Sequence, residues 1–67
     1  MVEITVNGAL ERFEQAPDLA ELLARLQLAG KKIAVERNGD IVPKGLHAGT
    51  RLAHGDRLEI VVAVGGG

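Results

Sequence analysis

Residues 18–26, which read DLAELLARL, decide the fold because they specify one amphipathic helix in a chain that otherwise reads as strands. The apolar positions of this stretch recur at i, i+3, i+4 and i+7, the spacing of a single helix face. They are Leu19, Leu22, Leu23 and Leu26. Asp18 and Glu21 stand three residues apart, as the two side chains of an N-terminal capping box do. Gly30 is predicted to end the helix as its C′ residue.

Upstream of the helix, the sequence predicts a β-hairpin. Residues 2–6 alternate apolar and polar side chains, which is the period of a half-buried strand. Asn7-Gly8 then gives a strong hairpin-turn signal, since both residue types tolerate positive φ. Residues 9–14 are predicted to run back as the second strand. Leu10 and Phe13 have opposite parity there, so we expect either a bulge or an early end to the strand.

Downstream of the helix, a second hairpin is predicted. Residues 33–37 form its first strand, residues 38–40 (Asn-Gly-Asp) its turn and residues 41–42 its short second strand. Pro43 follows and has no N–H to give to a ladder, which favours an edge position for this strand. Residues 44–53 read as irregular, with Leu46 and Leu52 as predicted core anchors. The last strand is predicted over residues 58–64.

These elements predict an α+β fold of two layers. A helix with one apolar face and a sheet with one apolar face can each bury that face only against the other. Because the helix lies between the two hairpins, the first and last strands can lie side by side and parallel at the centre. We therefore expect a β-grasp, the ubiquitin-like roll: a mixed sheet of four or five strands covered by one main helix. Residues 1–64 would form this domain and residues 65–67 a flexible tail.

Composition excludes several functions for this chain of 67 residues. Its net charge of −1, with no Trp or Tyr and one Phe, predicts no binding of nucleic acid through a basic or base-stacking surface. The absence of cysteine excludes disulfides, thiolate catalysis and cysteine-ligated zinc. The longest apolar run, residues 60–64, is too short to span a membrane. With no signal-peptide pattern at the N-terminus, we expect a cytoplasmic protein.

Side chains capable of catalysis are few. His47 and His54 are the only histidines, and both are predicted to be solvated loop residues rather than metal ligands. No serine occurs, and neither Thr5 nor Thr50 has a visible base partner. The glycines form no phosphate-binding loop. We therefore predict a protein without an active site of its own and without a bound metal or cofactor.

The terminal glycines, Gly65, Gly66 and Gly67, are the most informative feature of the sequence. A glycine run at a terminus is either a frayed end or a functional one. In the functional interpretation, the carboxylate of Gly67 is the reactive group, because a chain without Cβ atoms can thread a narrow channel. A carboxylate reacts with nucleophiles only after adenylation or phosphorylation, so another protein would have to supply ATP.

The predicted last strand carries apolar side chains on both faces. Leu58, Ile60 and Val62 share one parity. On a sheet covered by a helix on one side only, Val61 and Ala63 would face water, and Val64 leads into the glycines. Two interpretations remain open. The strand is simply a hydrophobic central strand, or Val61, Ala63 and Val64 form an exposed patch that docks a partner.

Five segments in this order resemble a known family over essentially the whole chain. They are Asn7-Gly8, residues 18–23 (DLAELL), 34–43 (AVERNGDIVP), 55–60 (GDRLEI) and 64–67 (VGGG). The chain resembles the ThiS family of thiamine-biosynthesis sulfur carriers. The element that family requires is a terminal glycine pair, here Gly66 and Gly67, and Gly65 is an additional glycine.

The resemblance implies a mechanism and a set of partners. An E1-like enzyme would use MgATP to adenylate Gly67, and sulfur from a persulfide donor would displace AMP to leave a thiocarboxylate. Thiazole synthase would then take the sulfur to build the thiazole of thiamine. The chain would act as a cosubstrate, monomeric when free, and ATP and Mg would belong to the activating partner.

Other functions fit the same residues. A sulfur carrier of another pathway, such as the molybdopterin type, would share the fold, the tail and the activation step. A β-grasp interaction module without any chemistry would need no free Gly67. A ubiquitin-like modifier would use the same activated terminus to form isopeptide bonds. The sequence leaves the pathway, the sulfur donor and the acceptor open.

Overall fold

The computed structural model describes residues 1–63 of the chain. Its elements, in chain order, are β1 (Val2–Val6), β2 (Ala9–Phe13), α1 (Leu19–Arg25), β3 (Ile33–Arg37), β4 (Asp40–Ile41), a 3₁₀ helix (Lys44–Gly49) and β5 (Arg57–Val62). The five strands form one sheet in the order β2-β1-β5-β3-β4. No helix within residues 1–63 is long and apolar enough to cross a membrane.

The centre of the sheet is the parallel pair β1 and β5. Thr5 lies opposite Arg57, and Val6 lies opposite Leu58. All other strand pairs are antiparallel. The first and last strands therefore meet at the centre, with a hairpin on either side, as the order of elements predicts. The predicted β-grasp, a mixed sheet with one main helix across it, is confirmed.

The start of α1 follows the sequence prediction. Asp18 Oδ1 accepts the Glu21 N–H at 2.8 Å, and Glu21 Oε1 accepts the Asp18 N–H at 2.9 Å. This reciprocal pair is a capping box, which satisfies two backbone donors that a helix N-terminus otherwise leaves without partners. The Glu21 carboxylate also lies in the first turn, where the helix dipole stabilises negative charge.

The end of α1 differs from the prediction. The helix stops at Arg25 with Leu26 as its C-cap, and the left-handed C′ position is Gln27 at φ +61°, not Gly30. Gln27 N–H donates to Ala24 C=O at 3.0 Å and Leu28 N–H to Leu23 C=O at 2.8 Å, the two hydrogen bonds of a Schellman motif. Gly30, at φ +82°, serves the next turn, which the Lys31 N–H to Leu28 C=O bond closes.

The core lies between α1 and the covered face of the sheet. Its most deeply buried side chains are Ile4, Leu19, Leu22, Val35, Leu52 and Leu58. Leu52 is thus a core anchor as predicted. Leu46 is not, because its side chain remains 57% exposed. Residues 44–49, predicted to be irregular, form a 3₁₀ helix. This helix has three residues per turn, and the side that carries His47 is the buried one.

The predicted strand ends needed small corrections. β2 pairs with β1 without a bulge, from Val6 opposite Ala9 to Val2 opposite Phe13, and it ends one residue before the predicted end at 14. Phe13 is buried, whereas Leu10 lies on the opposite face and is exposed. β4 covers residues 40–41 rather than 41–42, at the predicted sheet edge. β5 covers residues 57–62 rather than 58–64.

Candidate docking face and C-terminal strand

β5 alternates between a buried and an exposed face. Leu58 and Ile60 pack into the core, whereas Glu59 and Val61 point away from it. The side chain of Val61 is 64% exposed, as the docking hypothesis requires. The hydrophobic side chains of this strand therefore do not all belong to the core. Val61 is an apolar residue that the fold leaves on the surface.

The neighbours of Val61 on this face come from β3 and β4. Ala34 lies opposite Val61 in the register, and Glu36 lies opposite Glu59. Ile41, 63% exposed, lies opposite Glu36 on the far side. Together these residues form the open face: Ala34, Glu36, Ile41, Glu59 and Val61. It is an apolar surface with two carboxylates at its centre.

Ala63, the second predicted docking residue, lies just after β5. Its N–H donates to Lys32 C=O at 2.8 Å, so the hydrogen bonding to the β3 side continues one residue past the strand. Ala63 is exposed. The structure therefore places Val61 and Ala63 at the surface near the end of the described chain. The third predicted docking residue, Val64, and the predicted tail, Gly65, Gly66 and Gly67, lie outside the described residues, as does the predicted domain boundary.

Asn7 holds the last part of β5 in place through its side chain. Asn7 Oδ1 accepts the Ile60 N–H at 2.7 Å, and Asn7 Nδ2 donates to Ile60 C=O at 3.0 Å. The backbone at Asn7 has φ +49° and turns away into the β1–β2 hairpin. Its amide thus supplies the donor and the acceptor that β1 would have supplied had it continued. Ile60 keeps both backbone partners beyond the end of β1.

Asp56 fixes the start of β5. Its carboxylate accepts the Ala53 N–H at 2.8 Å, Arg37 Nε at 2.9 Å and Asn38 Nδ2 at 3.0 Å. Burial raises the pKa of Asp56, but these hydrogen bonds and the charge of Arg37 outweigh it and lower the pKa below the ordinary value of 3.8. The carboxylate stays ionised and joins β3 to the loop before β5.

The two histidines take different positions. His54 is exposed, as predicted, and its Nδ1 accepts the Glu3 N–H at 3.0 Å. His47 is buried, contrary to prediction, with its Nε2 lying 3.2 Å from Val42 C=O. Among residues 1–63, no three His, Asp or Glu side chains are grouped so as to hold a metal ion. Neither histidine belongs to a candidate site.

The same fold is found in a known family. The model of the ThiS family matches residues 2–67, which includes the terminal glycines. The chain belongs to the ThiS family. The fold matches the crystal structure of the thiamine biosynthesis protein ThiS from Geobacter metallireducens with a TM-score of 0.81 and 30% identity, over 98% of this chain and 100% of that one.

Two curated relatives extend the comparison of this ThiS-family chain. It is 39% identical over 66 residues to a thiazole synthase of Paramagnetospirillum magneticum, covering 98% of this chain and 20% of that protein. It is 33% identical over 66 residues to protein ycf40 of Pyropia yezoensis, covering 98% of this chain and 93% of that protein. The chain therefore spans only a fifth of the length of the thiazole synthase that it matches.

Sequence reasoning missed the most specific features of this ThiS-family surface. The glutamate pair became visible only from the register of β3 against β5. Asn7 was predicted as a turn residue, and nothing in the sequence indicated that its side chain would bond Ile60, 53 residues away. Asp56 lies just before the predicted last strand and was assigned no functional role. Its position after Gly55 and before an apolar strand carried no signal of its three donors.

Proposed function

We propose that this chain is a sulfur carrier of thiamine biosynthesis that bears the sulfur on its C-terminal glycine, Gly67. The observation that carries the proposal is the match to the ThiS family through residue 67, in a sequence that ends in three glycines. The likeness to ThiS of Geobacter metallireducens over 98% of this chain and all of that one supports it. In this function the chain is a protein cosubstrate and the catalysis belongs to its partners.

The chemistry begins with activation of the Gly67 carboxylate. An E1-like enzyme transfers AMP from MgATP to this carboxylate and releases pyrophosphate, which turns a poor electrophile into a mixed anhydride. A persulfide sulfur attacks the carbonyl carbon and AMP leaves. Reductive cleavage of the resulting acyl disulfide by a thiol leaves a thiocarboxylate. The absence of cysteine from the chain keeps the sulfur on the terminus alone.

The acceptor of the sulfur in this proposal is thiazole synthase. Support comes from the thiazole synthase of Paramagnetospirillum magneticum, in which a segment similar to this chain makes up 20% of the protein. We infer that this chain works with the same enzyme. The free carrier is proposed to be a cytoplasmic monomer.

Each part of the chain has a role in this proposal. Gly65 and Gly66 lead Gly67 into the partner's ATP site, where backbone without Cβ atoms fits a narrow channel. Val61, Ala63 and Val64 dock the partner next to that channel. Exposure of Val61 and Ala63 supports this role.

The test is intact-mass analysis of the chain after incubation with its cognate activating enzyme, MgATP, a persulfide donor and a thiol reductant. We expect a mass gain equal to replacing one oxygen by sulfur, located on the C-terminal peptide. The control is the same chain ending at Gly65, which should stay unmodified. An unmodified Gly67 beside an enzyme that thiolates another carrier would contradict the proposal and favour an interaction module.

A further inference from the structure

We propose that Glu36 and Glu59 form the recognition point of the open face, where they bind a basic side chain of thiazole synthase. The inference rests on the proposed function and adds the chemistry of the partner's surface to it. Its basis is the pairing of two like charges, which the fold does not require, within an exposed apolar face.

The register of the sheet brings the two glutamates together. Glu36 of β3 and Glu59 of β5 are directly opposite each other in an antiparallel pair, and both are exposed. Side chains opposite one another on the same face have Cβ atoms about 4.5–5.5 Å apart, and like charges in such a pair destabilise a sheet. A threonine or valine at either position would suit an exposed strand better. The pair costs the free chain stability.

Neither Glu36 nor Glu59 forms an ion pair with a basic side chain within residues 1–63. Within residues 1–63, the ion pairs are Arg12 with Glu3 and Arg37 with Asp56. Arg57 shares a face with Glu59, yet it forms no ion pair with either glutamate in this part of the chain. Two neighbouring carboxylates therefore remain available to a positive charge from outside.

Apolar side chains surround the pair on the open face. Ala34 and Val61 border it on the side towards residue 63, and Ile41 borders it on the side of β4. Apolar neighbours exclude water when a partner covers them, which strengthens a charge pair at the centre. An arginine fits this arrangement best, since its planar guanidinium can donate to two carboxylates at once.

Because Gly67 follows β5 by only a few residues, we assign the open face to a protein that reacts with Gly67. Four residues follow Ala63 in the sequence, and fully extended they span at most about 14 Å. A protein that holds Gly67 in its active site must therefore lie close to the end of β5 and to the open face beside it. Thiazole synthase is such a protein, and the thiazole synthase of Paramagnetospirillum magneticum contains a segment similar to this chain.

The test uses the full chain and its cognate thiazole synthase. Glu36→Gln and Glu59→Gln remove one charge each without changing shape, and Glu14→Gln is the matched control at an exposed glutamate outside the open face. Titration calorimetry should show Kd rising roughly five- to tenfold for each of the two variants and not for the control. Thermal melts should show both variants at least as stable as the parent, because the repulsion is relieved.

Charge reversal separates binding from stability. Glu59→Lys alone should stabilise the chain by pairing with Glu36, whereas adding Glu36→Lys should restore the repulsion and the parent stability. Binding of thiazole synthase should weaken in the single variant and further in the double variant. Unchanged Kd values in the glutamine variants would overturn the proposal, and so would a loss of stability in them.

Two further measurements keep this proposal distinct from the sulfur-carrier function. Thiolation of Gly67 by the activating enzyme should proceed at the parent rate in both glutamine variants. If instead thiolation slows and binding of thiazole synthase is unchanged, the pair serves the activating enzyme and the proposal is wrong. The Kd of the parent should also rise more steeply with added NaCl than that of the charge-reversed double variant.

Discussion

The side-chain amide of Asn7 takes the place of a peptide group beside Ile60. In a parallel ladder, the residue whose N–H bonds Leu58 C=O would offer its own C=O to Ile60 N–H. Asn7 makes the first of these bonds with its backbone at 2.9 Å, but its backbone then turns into the hairpin. Its side-chain Oδ1 and Nδ2 bond Ile60 instead. The ladder is thereby extended without a longer β1.

Asn7→Gly should lower the free energy of unfolding by about 1–2 kcal/mol, because Ile60 loses both backbone partners in a partly buried position. Glycine tolerates the positive φ of this turn, so the loss of stability reports on the side-chain amide and not on backbone strain. Urea unfolding measures this change in the free energy of unfolding. The control is Gln27→Gly, also at positive φ, whose side chain forms no hydrogen bond among residues 1–63. Equal stability of parent and Asn7→Gly would refute the role of the amide.

Asp56→Asn should destabilise the fold by about 1.5–3 kcal/mol at pH 7, since the carboxylate accepts charge-assisted hydrogen bonds and the amide presents an N–H to the same donors. The folded state lowers the pKa of Asp56 below 3.8. The contribution of this carboxylate to the stability of the fold is therefore complete above pH 3.8. The contribution is lost as the pH falls through the lower pKa of the folded state. The parent should therefore lose stability below pH 3.8 more steeply than the variant.

The control for this prediction is Asp40→Asn, an exposed carboxylate on β4. This variant should keep the stability of the parent at pH 7 and the same loss of stability in acid. Urea unfolding at a series of pH values gives both slopes. Parallel pH profiles for the parent and Asp56→Asn would show that the Asp56 carboxylate contributes nothing specific.

Leu22→Ala and Leu23→Ala should each cost about 2–5 kcal/mol, the usual penalty for a cavity left by a buried leucine. Both side chains are buried under the sheet. Leu46→Ala is the matched control, because Leu46 is the predicted core residue that the fold leaves exposed. Its cost should stay within about 0.5 kcal/mol. Thermal unfolding measures all three, and equal costs at Leu22 and Leu46 would contradict the core described above.

Val61→Asp should leave the fold intact and weaken the complex with thiazole synthase or the activating enzyme. An exposed strand position tolerates a polar side chain, whereas a docked apolar surface does not tolerate a buried unpaired charge. Leu46→Asp gives the same change at an exposed leucine of the 3₁₀ helix, which is not part of the open face. Circular dichroism checks the fold and pull-down with each purified enzyme checks binding. Parent-like binding of Val61→Asp to both enzymes would remove Val61 from the docking surface.

Gly66→Val should block thiolation of Gly67 without unfolding the chain, because a β-branched side chain crowds a channel shaped for bare backbone. One extra residue after Gly67 should also abolish thiolation, since it turns the reactive carboxylate into an amide. Gly8→Val, in the β1–β2 turn, is a contrasting variant that should lower stability instead, because Gly8 has φ +85°. Full thiolation of Gly66→Val would exclude a narrow channel around the tail.

The sequence by itself determined the features that depend on local pattern. The alternation of residues 2–6, the Asn7-Gly8 turn and the capping box of Asp18 each involve contacts within a few residues. Because such contacts follow from spacing, the helix, the hairpins and hence the order of elements could be predicted. The exposure of Val61 followed in the same way from its parity in β5.

Only the tertiary structure decided which distant residues meet. Gln27 rather than Gly30 closes α1, because the two hydrogen bonds of the Schellman motif form at Gln27 and Leu28. His47 rather than Leu46 is buried, because the three-residue turn of the 3₁₀ helix presents that side to the core. Glu36 faces Glu59 because the register of β3 on β5 is set by burying Val35 beside Ile60, and one residue of slip would expose both.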